Sequence, residues 1–173
     1  MRNIILLLSI LSHAYQRSDY GNGWEDFDKD CQNTRQEMLI LHTTIPPVFS
    51  NNRNCSVIRG QWFDVYTNQT FKTPFLMDVD HIVPFKEADQ SGAKFWNISK
   101  KIQFANDLNV LLPVNRSTNR AKGNKTPLDW MPPNTDFHCE YIRLWKEIKY
   151  NWNLTMTISE FNFISQQTII CLN

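Results

Sequence analysis

The feature that most restricts the fold of this chain is its set of four widely spaced cysteines. They are Cys31, Cys55, Cys139 and Cys171, and no two of them are closer than 24 positions. An even number of cysteines in an exported protein favours disulfides. A structural zinc site is the alternative, but such sites usually take their cysteines in close pairs, which this chain lacks. The spacing therefore favours two disulfides over zinc.

The N-terminus has the three parts of a secretory signal peptide in the correct order. Arg2 supplies a positive charge, residues 4–11 form an apolar run, and Ser12 and Ala14 provide the small residues of a cleavage site. The run is far shorter than the ~20 residues that a transmembrane helix needs. A buried N-terminal strand or helix is the alternative. We expect residues 1–14 to be a signal peptide and residues 15–173 to be the secreted domain, with no membrane segment after cleavage.

Length and composition are those of a folded protein. The chain has 173 residues, of which 42% are hydrophobic and 13% aromatic. These values suit one domain with a core and argue against disorder. The net charge is only +1, but residues 81–130 contain eight Lys or Arg against four Asp or Glu. A local basic excess suits an anionic substrate, although many basic surfaces are simply solvated.

Periodicity and turn signals predict an α+β fold. Runs rich in β-branched and aromatic residues predict strands over residues 55–59, 62–66, 75–83 and 110–114. Helices are predicted over residues 35–41, in two pieces within 86–106, over 117–122, and in two segments near the C-terminus. Residues 15–30 are polar and acidic, so we expect an irregular arm there.

Two pairs of residues have the spacing of a helix capping box. Thr34 with Glu37 predicts the start of a short helix, and Thr157 with Glu160 predicts the start of a helix that runs toward Ile170. In each pair, the first side chain would accept a hydrogen bond from the backbone amide of the second residue.

The two C-terminal helices also bear on the disulfides. If they are antiparallel and of similar length, they bring Cys139 and Cys171 together. That pairing leaves Cys31 with Cys55, although sequence alone does not fix the connectivity.

Candidate chemistry is concentrated in the segment DVDHIVP, residues 78–84. Asp80 offers a hard oxygen to a cation. His81 can take a proton from water because the ordinary pKa of histidine is near neutrality. Neighbouring strand residues point to opposite faces, but a bend helped by Pro84 would let both side chains converge on one substrate. Taken alone, an Asp–His pair is more often a structural hydrogen bond or salt bridge.

A second segment, residues 104–125, supplies partners for such a site. It reads FANDLNVLLPVNRSTNRAKGNK and predicts a short strand followed by a short helix. The amide oxygen of Asn119 is a further hard ligand, so Asp80 and Asn119 would form a six-coordinate magnesium site with water and phosphate oxygens. Arg120 and Lys122 would neutralise phosphate charge. A solvated helix end is the alternative for this stretch.

The motifs DVDHIVP and NRAKG, in this order, resemble those of the HNH, or ββα-metal, nuclease superfamily. With C-x-x-T-R before them, FANDL between them and C-x-Y-x-x-x-W after them, they are similar to a family of small secreted HNH nucleases of bacteria and fungi. The resemblance covers residues 31–171. It implies that His81 is the general base, that Asp80 and Asn119 hold the metal, and that Asn109 holds the loop that orients the histidine.

Two of these positions keep an alternative. Asn109 is equally well a turn residue or a helix cap. Arg35 recurs in the family pattern, either as a phosphate contact or as the partner of a buried acid.

The resemblance also implies the fold and the activity. It implies a ββα-metal nuclease centre within a single small α+β domain stapled by disulfides. The expected activity is that of a metal-dependent endonuclease, using Mg²⁺ or Mn²⁺ to hydrolyse phosphodiester bonds of DNA, with RNA also open. Because no separate module for reading bases is visible, we expect low sequence specificity, and we expect a monomer. A different class of function stays open: a secreted nucleic-acid-binding or host-interaction protein that retains the fold without turnover.

Overall fold

The computed structural model describes residues 14–172 and has mixed α and β structure. The helices are α1 (Thr34–His42), α2 (Phe85–Gln90), α3 (Ile98–Ala105), α4 (Arg116–Lys122), α5 (His138–Asn151) and α6 (Ile158–Cys171). The strands are β1 (Val48–Phe49), β2 (Val57–Arg59), β3 (Trp62–Asp64), β4 (Gln69–Phe71), β5 (Met77–His81) and β6 (Leu111–Asn115). They pair antiparallel as β1–β2, β3–β4 and β5–β6. The predicted signal peptide, residues 1–14, lies outside the described residues except for Ala14.

The first predicted capping box is wrong, and the second is confirmed. Asn33 caps α1 by accepting a hydrogen bond from the backbone amide of Gln36, while Thr34 lies inside the helix and its hydroxyl donates to the Glu25 carbonyl oxygen. At α6, the Thr157 side chain and its partner three residues later form the predicted reciprocal box. Asn33 is the N-cap in place of Thr34 because its side chain, one position earlier, accepts a hydrogen bond from an unpaired backbone amide of the first turn. Within residues 14–172, no helix has the length and apolar character that crossing a membrane requires.

Both disulfides have the expected connectivity. Cys139 at the start of α5 is bonded to Cys171 at the end of α6, so the two C-terminal helices are joined at adjacent ends. Cys31 is bonded to Cys55 and ties the N-terminal arm to the segment before β2. All four cysteines are therefore used, which rules out the zinc alternative.

The N-terminal arm is irregular, as predicted, but it is packed against the core. Residues Arg17–Tyr20 form a 3-10 turn, and Tyr20 is only 1% exposed. Its ring stacks on Phe85 of α2 with the ring centroids 4.4 Å apart. The same core contains the fully buried rings of Tyr66 and Trp145. The arm is thereby held beside the start of α2.

One unit of the fold places polar side chains side by side. β5 pairs with β6 along its whole length, from Met77 opposite Asn115 to His81 opposite Leu111. α4 follows β6 directly, and the Asn115 side chain caps it by accepting two backbone amide hydrogen bonds. α2 and α3 lie in the connection between the two strands. This β5–β6–α4 unit sets the C-terminal end of β5 beside α4.

Candidate active site

A cavity of about 280 Å³, the β5–α4 cavity, lies between the end of β5, the end of α4 and the N-terminal arm. Its lining combines aromatic, acidic, amide and cationic side chains from these elements and from the start of α2. The lining residues are Arg17, Val79, Asp80, His81, Pro84, Phe85, Asn119, Gly123 and Asn124. The fold thus brings Asp80, His81 and Asn119 to one place, although Asn119 comes from a separate motif.

The His81 ring has one nitrogen engaged and one nitrogen available. Nε2 lies 2.8 Å from the carbonyl oxygen of Ala105, at the end of α3. Because a carbonyl oxygen can only accept, we assign the hydrogen to Nε2, which leaves the lone pair of neutral His81 on Nδ1. Nδ1 forms no hydrogen bond with any of residues 14–172. The arrangement therefore presents a proton acceptor at Nδ1.

Aromatic rings enclose the imidazole. The Trp24 indole lies parallel to it, at 2° between planes and 5.4 Å between centroids, and the Phe85 ring lies 4.0 Å away by the same measure. Only 8% of His81 is exposed. This burial lowers the pKa of His81 to about 3; the hydrogen bond to the α3 carbonyl opposes the shift, and nearby positive charges add to it. His81 is therefore neutral near pH 7.

Asp80 is buried, and each of its carboxylate oxygens has a donor. Oδ1 accepts a hydrogen bond from the Lys122 ammonium at 2.9 Å, and Oδ2 accepts one from the Tyr66 hydroxyl at 2.8 Å. Burial raises the pKa of Asp80, while the charge of Lys122 and the two hydrogen bonds lower it. We describe the pair as carboxylate and ammonium, because each charge offsets part of the desolvation cost of the other.

The structure contradicts the expectation that Lys122 contacts substrate phosphate. Its side chain is completely buried, and Nζ also donates to the His81 carbonyl oxygen at 2.8 Å. The physical reason is Asp80: a buried carboxylate without a partner is costly, so the nearest ammonium on α4 turns inward. Burial lowers the pKa of Lys122, and the charge of Asp80 raises it. Lys122 therefore links α4 to the end of β5 in the protein interior.

Asn119 faces the cavity with its amide oxygen unused. Its Nδ2 donates to Oδ2 of Asp78 at 3.4 Å, and Oδ1 of Asp78 accepts a hydrogen bond from Arg116 Nε at 3.1 Å. Within residues 14–172, no group donates to Oδ1 of Asn119. Asp78 thus orients the amide, and the oxygen is left as a candidate ligand for a cation.

The two arginines expected to bind substrate lie elsewhere. The guanidinium of Arg35 donates to the carbonyl oxygens of Pro74 and Met77 at 3.3 and 3.2 Å, so it braces the start of β5. Burial lowers the pKa of Arg35, and the nearby charge of Asp78 raises it. Arg120 is exposed on α4 and is not among the residues that line the cavity. The helix directs it outward because Asn119 and Lys122 occupy the inward side.

The loop that carries the His81 partner is held by Asn106, and Asn109 lies outside it. Asn109 is exposed and donates to the Asp107 side chain at 2.9 Å. Asn106 is buried: its Oδ1 accepts from the Glu25 amide at 2.9 Å, and its Nδ2 donates to the Ile102 carbonyl at 3.0 Å. Because Asn106 directly follows the residue that accepts from His81, it fixes that carbonyl. The FANDL motif contains both Ala105 and Asn106, so it could have indicated from the sequence that Asn106 holds this loop.

Three other side chains that shape the site were not predicted. Tyr66 lies in the β3–β4 hairpin, and Trp24 and Arg17 lie in the arm. Arg17 lines the cavity itself, whereas Tyr66 contacts Asp80 and Trp24 stacks on His81 through tertiary packing. No local motif in the sequence joins them to DVDHIVP.

An acidic cluster also exists on the arm. Carboxylate oxygens of Asp26, Asp28 and Asp30 lie within 4.8 Å of one another. Asp26 accepts from the Cys31 amide and Asp28 from the Asp30 amide, so these carboxylates already order a turn. Exposed acidic groups are common without an ion, and we assign no function to this cluster.

These features define a disulfide-bonded protein of mixed α and β structure with a His, Asp and Asn cavity at the end of a two-stranded sheet. Residues 33–166 match the family described as the C-terminal domain of GmrSD restriction endonucleases, and the chain belongs to this family. The chain is also similar to an uncharacterized secreted protein of Arthroderma benhamiae, with 32% identity over 160 residues that cover 91% of this chain and 76% of the relative. No solved structure matches the chain.

Proposed function

We propose that this protein is a secreted, metal-dependent endonuclease of the HNH type that hydrolyses phosphodiester bonds of DNA. The family to which the chain belongs is described as a domain of restriction endonucleases, which supports a nuclease-related activity and a nucleic-acid substrate. The observation that carries the proposal is the state of His81. It is neutral, its Nε2 is held by Ala105 and its Nδ1 is free, in a cavity shared with Asp80 and Asn119.

The oxygen atoms of Asp80 and Asn119 are ligands of the kind that a hard divalent cation prefers. Asn119 Oδ1 has no donor from residues 14–172, and the two oxygens of Asp80 keep lone pairs beyond those used by Lys122 and Tyr66. Mg²⁺ or Mn²⁺ held by Asp80 and Asn119 would supply stabilisation of phosphate charge. Because Lys122 offsets the charge of Asp80, we expect weak metal affinity until substrate phosphate adds oxygen ligands.

The side chains of the protein perform the proton transfer. Nδ1 of His81 accepts a proton from the attacking water, and the resulting imidazolium is stabilised by its Nε2–H bond to Ala105. A pKa of about 3 makes His81 a weak base in the free protein. A phosphate in the cavity adds negative charge beside the ring, which raises the imidazole pKa toward the working pH. Trp24 and Phe85 keep the ring in the orientation that this transfer needs.

Three observations support secretion, and the make-up of the cavity supports low sequence specificity. The first residues have the pattern of a signal peptide, both disulfides suit an oxidising compartment, and the relative from Arthroderma benhamiae is described as secreted. The cavity offers groups for phosphate and water, and we identify no separate element in residues 14–172 for reading bases. Contacts to the backbone alone position a nuclease without specifying sequence.

A plasmid-cleavage assay on the oxidised mature protein tests the proposal. Reactions with Mg²⁺, with Mn²⁺ and with EDTA are compared for the wild type, His81→Ala and the control His138→Ala. His138 is a matched control because its Nε2 also meets a backbone carbonyl oxygen, that of Pro132 at 2.7 Å, away from the cavity. We expect metal-dependent nicking that is lost only in His81→Ala. Equal cleavage by all three proteins, or none by the folded wild type, contradicts the proposal.

One observation favours a second function, nucleic-acid binding without turnover. The ion pair between Lys122 and Asp80 neutralises the acidic residue proposed to hold the metal. If this pair does not admit a metal, the protein binds the duplex and leaves it intact. Binding of DNA by the wild type together with no cleavage of DNA or RNA under any metal would identify this function.

A further inference from the structure

The proposed active cavity needs a positive charge to hold a phosphate, and the residues expected to supply it do not line the cavity. Lys122 is buried against Asp80. Arg35 binds backbone carbonyl oxygens, and Arg120 is exposed elsewhere on α4. Among the described residues, Arg17 is the cationic side chain that does line the β5–α4 cavity.

The guanidinium of Arg17 is free to bind an anion. Its Cζ lies 5.0 Å from the centroid of the Phe85 ring, and the residue is exposed. Its side chain forms no ion pair or hydrogen bond with any of residues 14–172. The positive charge of Arg17 is close enough to His81 to contribute to the lowered pKa of its imidazole. All five N–H donors are therefore available at the wall that faces the proposed base.

The backbone that carries Arg17 is anchored on two sides. Tyr20, at the other end of the same 3-10 turn, stacks on Phe85 and is almost completely buried. Further along the arm, the Glu25 amide donates to Asn106, the residue that also fixes the loop behind His81. Because the arm is held at both places, Arg17 is presented to the cavity without a large ordering cost on binding.

We propose that Arg17 is the phosphate-binding residue of the β5–α4 cavity, supplied by the N-terminal arm from outside the β5–β6–α4 unit. This inference rests on the proposed nuclease function. The forked guanidinium donates to the non-bridging oxygens of the scissile phosphate, while Asp80 and Asn119 face it from β5 and α4. It thereby fills the place that the sequence had assigned to Lys122 and Arg120.

Binding is measured first, in a background that cannot cleave. Mature His81→Ala protein in EDTA is titrated with a fluorescent DNA duplex at several salt concentrations, with and without Arg17→Ala. Lys94→Ala is the matched control, because Lys94 also lies 5.0 Å from a phenylalanine ring centroid and does not line the cavity. We expect Arg17→Ala to reduce the slope of log Kd against log salt by about 0.9, the value for one lost phosphate contact. The Lys94→Ala slope stays at the parent value.

Cleavage is then measured in proteins that retain His81. We expect Arg17→Ala to lower kcat/KM on the order of 100-fold, with partial recovery in Arg17→Lys and little change in Lys94→Ala. An Arg17→Ala protein that matches Lys94→Ala in both slope and cleavage overturns the inference. If the protein with intact His81 does not cleave DNA, but Arg17→Ala still weakens DNA binding, only the nuclease proposal is overturned. Absence of DNA binding by the folded parent overturns both.

Discussion

The indole of Trp24 lies parallel to the imidazole of His81, with 2° between the ring planes. The two residues come from different parts of the chain: Trp24 from the N-terminal arm and His81 from the end of β5. Phe85 contacts the imidazole as well. The direction of the free Nδ1 is thus set by packing between distant segments as well as by the hydrogen bond to Ala105.

Replacement of Trp24 tests this positioning. We expect Trp24→Ala to lower kcat roughly 10- to 100-fold with a smaller change in KM, because a misplaced base is costly even when substrate still binds. Trp24→Phe keeps a flat ring against His81 and should retain most of the activity. Steady-state kinetics on a DNA duplex measure the split. An unchanged kcat in Trp24→Ala would show that the stacking does not orient the base.

The ion pair between Lys122 and Asp80 predicts an asymmetric effect on stability. Lys122→Met leaves a buried carboxylate without its ammonium and should lower the free energy of unfolding by about 3–5 kcal/mol. The double variant Asp80→Asn with Lys122→Met removes both charges and should recover most of that loss. Urea unfolding of the oxidised proteins gives both values. A double variant as unstable as Lys122→Met would contradict the assignment of a charged pair.

Asn106 and Asn109 form a natural pair of variants for the loop behind His81. Asn106→Ala removes two hydrogen bonds of a buried amide and should destabilise the protein by about 1–3 kcal/mol. It should also lower activity, because the Ala105 carbonyl is no longer fixed. Asn109→Ala alters an exposed side chain and should change stability by at most about 0.5 kcal/mol. The reverse order in unfolding and cleavage assays would restore the role first predicted for Asn109.

Acid should weaken the fold through His81. The folded pKa is about 3 and the ordinary value is 6.5, so between these values the unfolded chain binds more protons and stability falls as the pH is lowered. From pH 7 to 4.5 this amounts to roughly 2–3 kcal/mol, since one pKa unit corresponds to ~1.4 kcal/mol and the unfolded histidine is only partly protonated at the start of this range. His81→Asn lacks this contribution, and the other groups titrate alike in both proteins. Urea unfolding in EDTA at pH 7 and 4.5 should therefore show the steeper loss in the wild type; parallel losses would contradict a buried neutral His81.

The parts of the fold that depend on local pattern could be predicted from the sequence. The α6 capping box, the short α4 helix and the C-terminal disulfide follow from spacing, periodicity and helix length. Strand β1 has only two residues, which is too short to show periodicity. The hairpin of β3 and β4 depends on the positive φ of Asn68, 56°, whereas the sequence indicates only that a turn lies there.

The candidate site was predicted where one motif carries it and missed where tertiary packing decides. Asp80 and His81 are neighbours in a motif, and Asn119 follows in the next one, so the cavity could be anticipated from these three. The inward turn of Lys122 could not, because it depends on how deeply Asp80 is buried. Arg17 could not be placed either, since its position depends on the packing of Tyr20 against α2.

The most direct test of the central claim is chemical rescue of the proposed base. Single-turnover cleavage of a DNA duplex in Mg²⁺ is measured for the wild type, His81→Ala and Asn119→Ala, with and without added imidazole. The proposed mechanism predicts that both variants are nearly inactive and that imidazole restores cleavage only in His81→Ala, where it can accept the proton from water. Wild-type cleavage by His81→Ala, or equal effects of imidazole on both variants, would contradict the assignment of His81 as the general base.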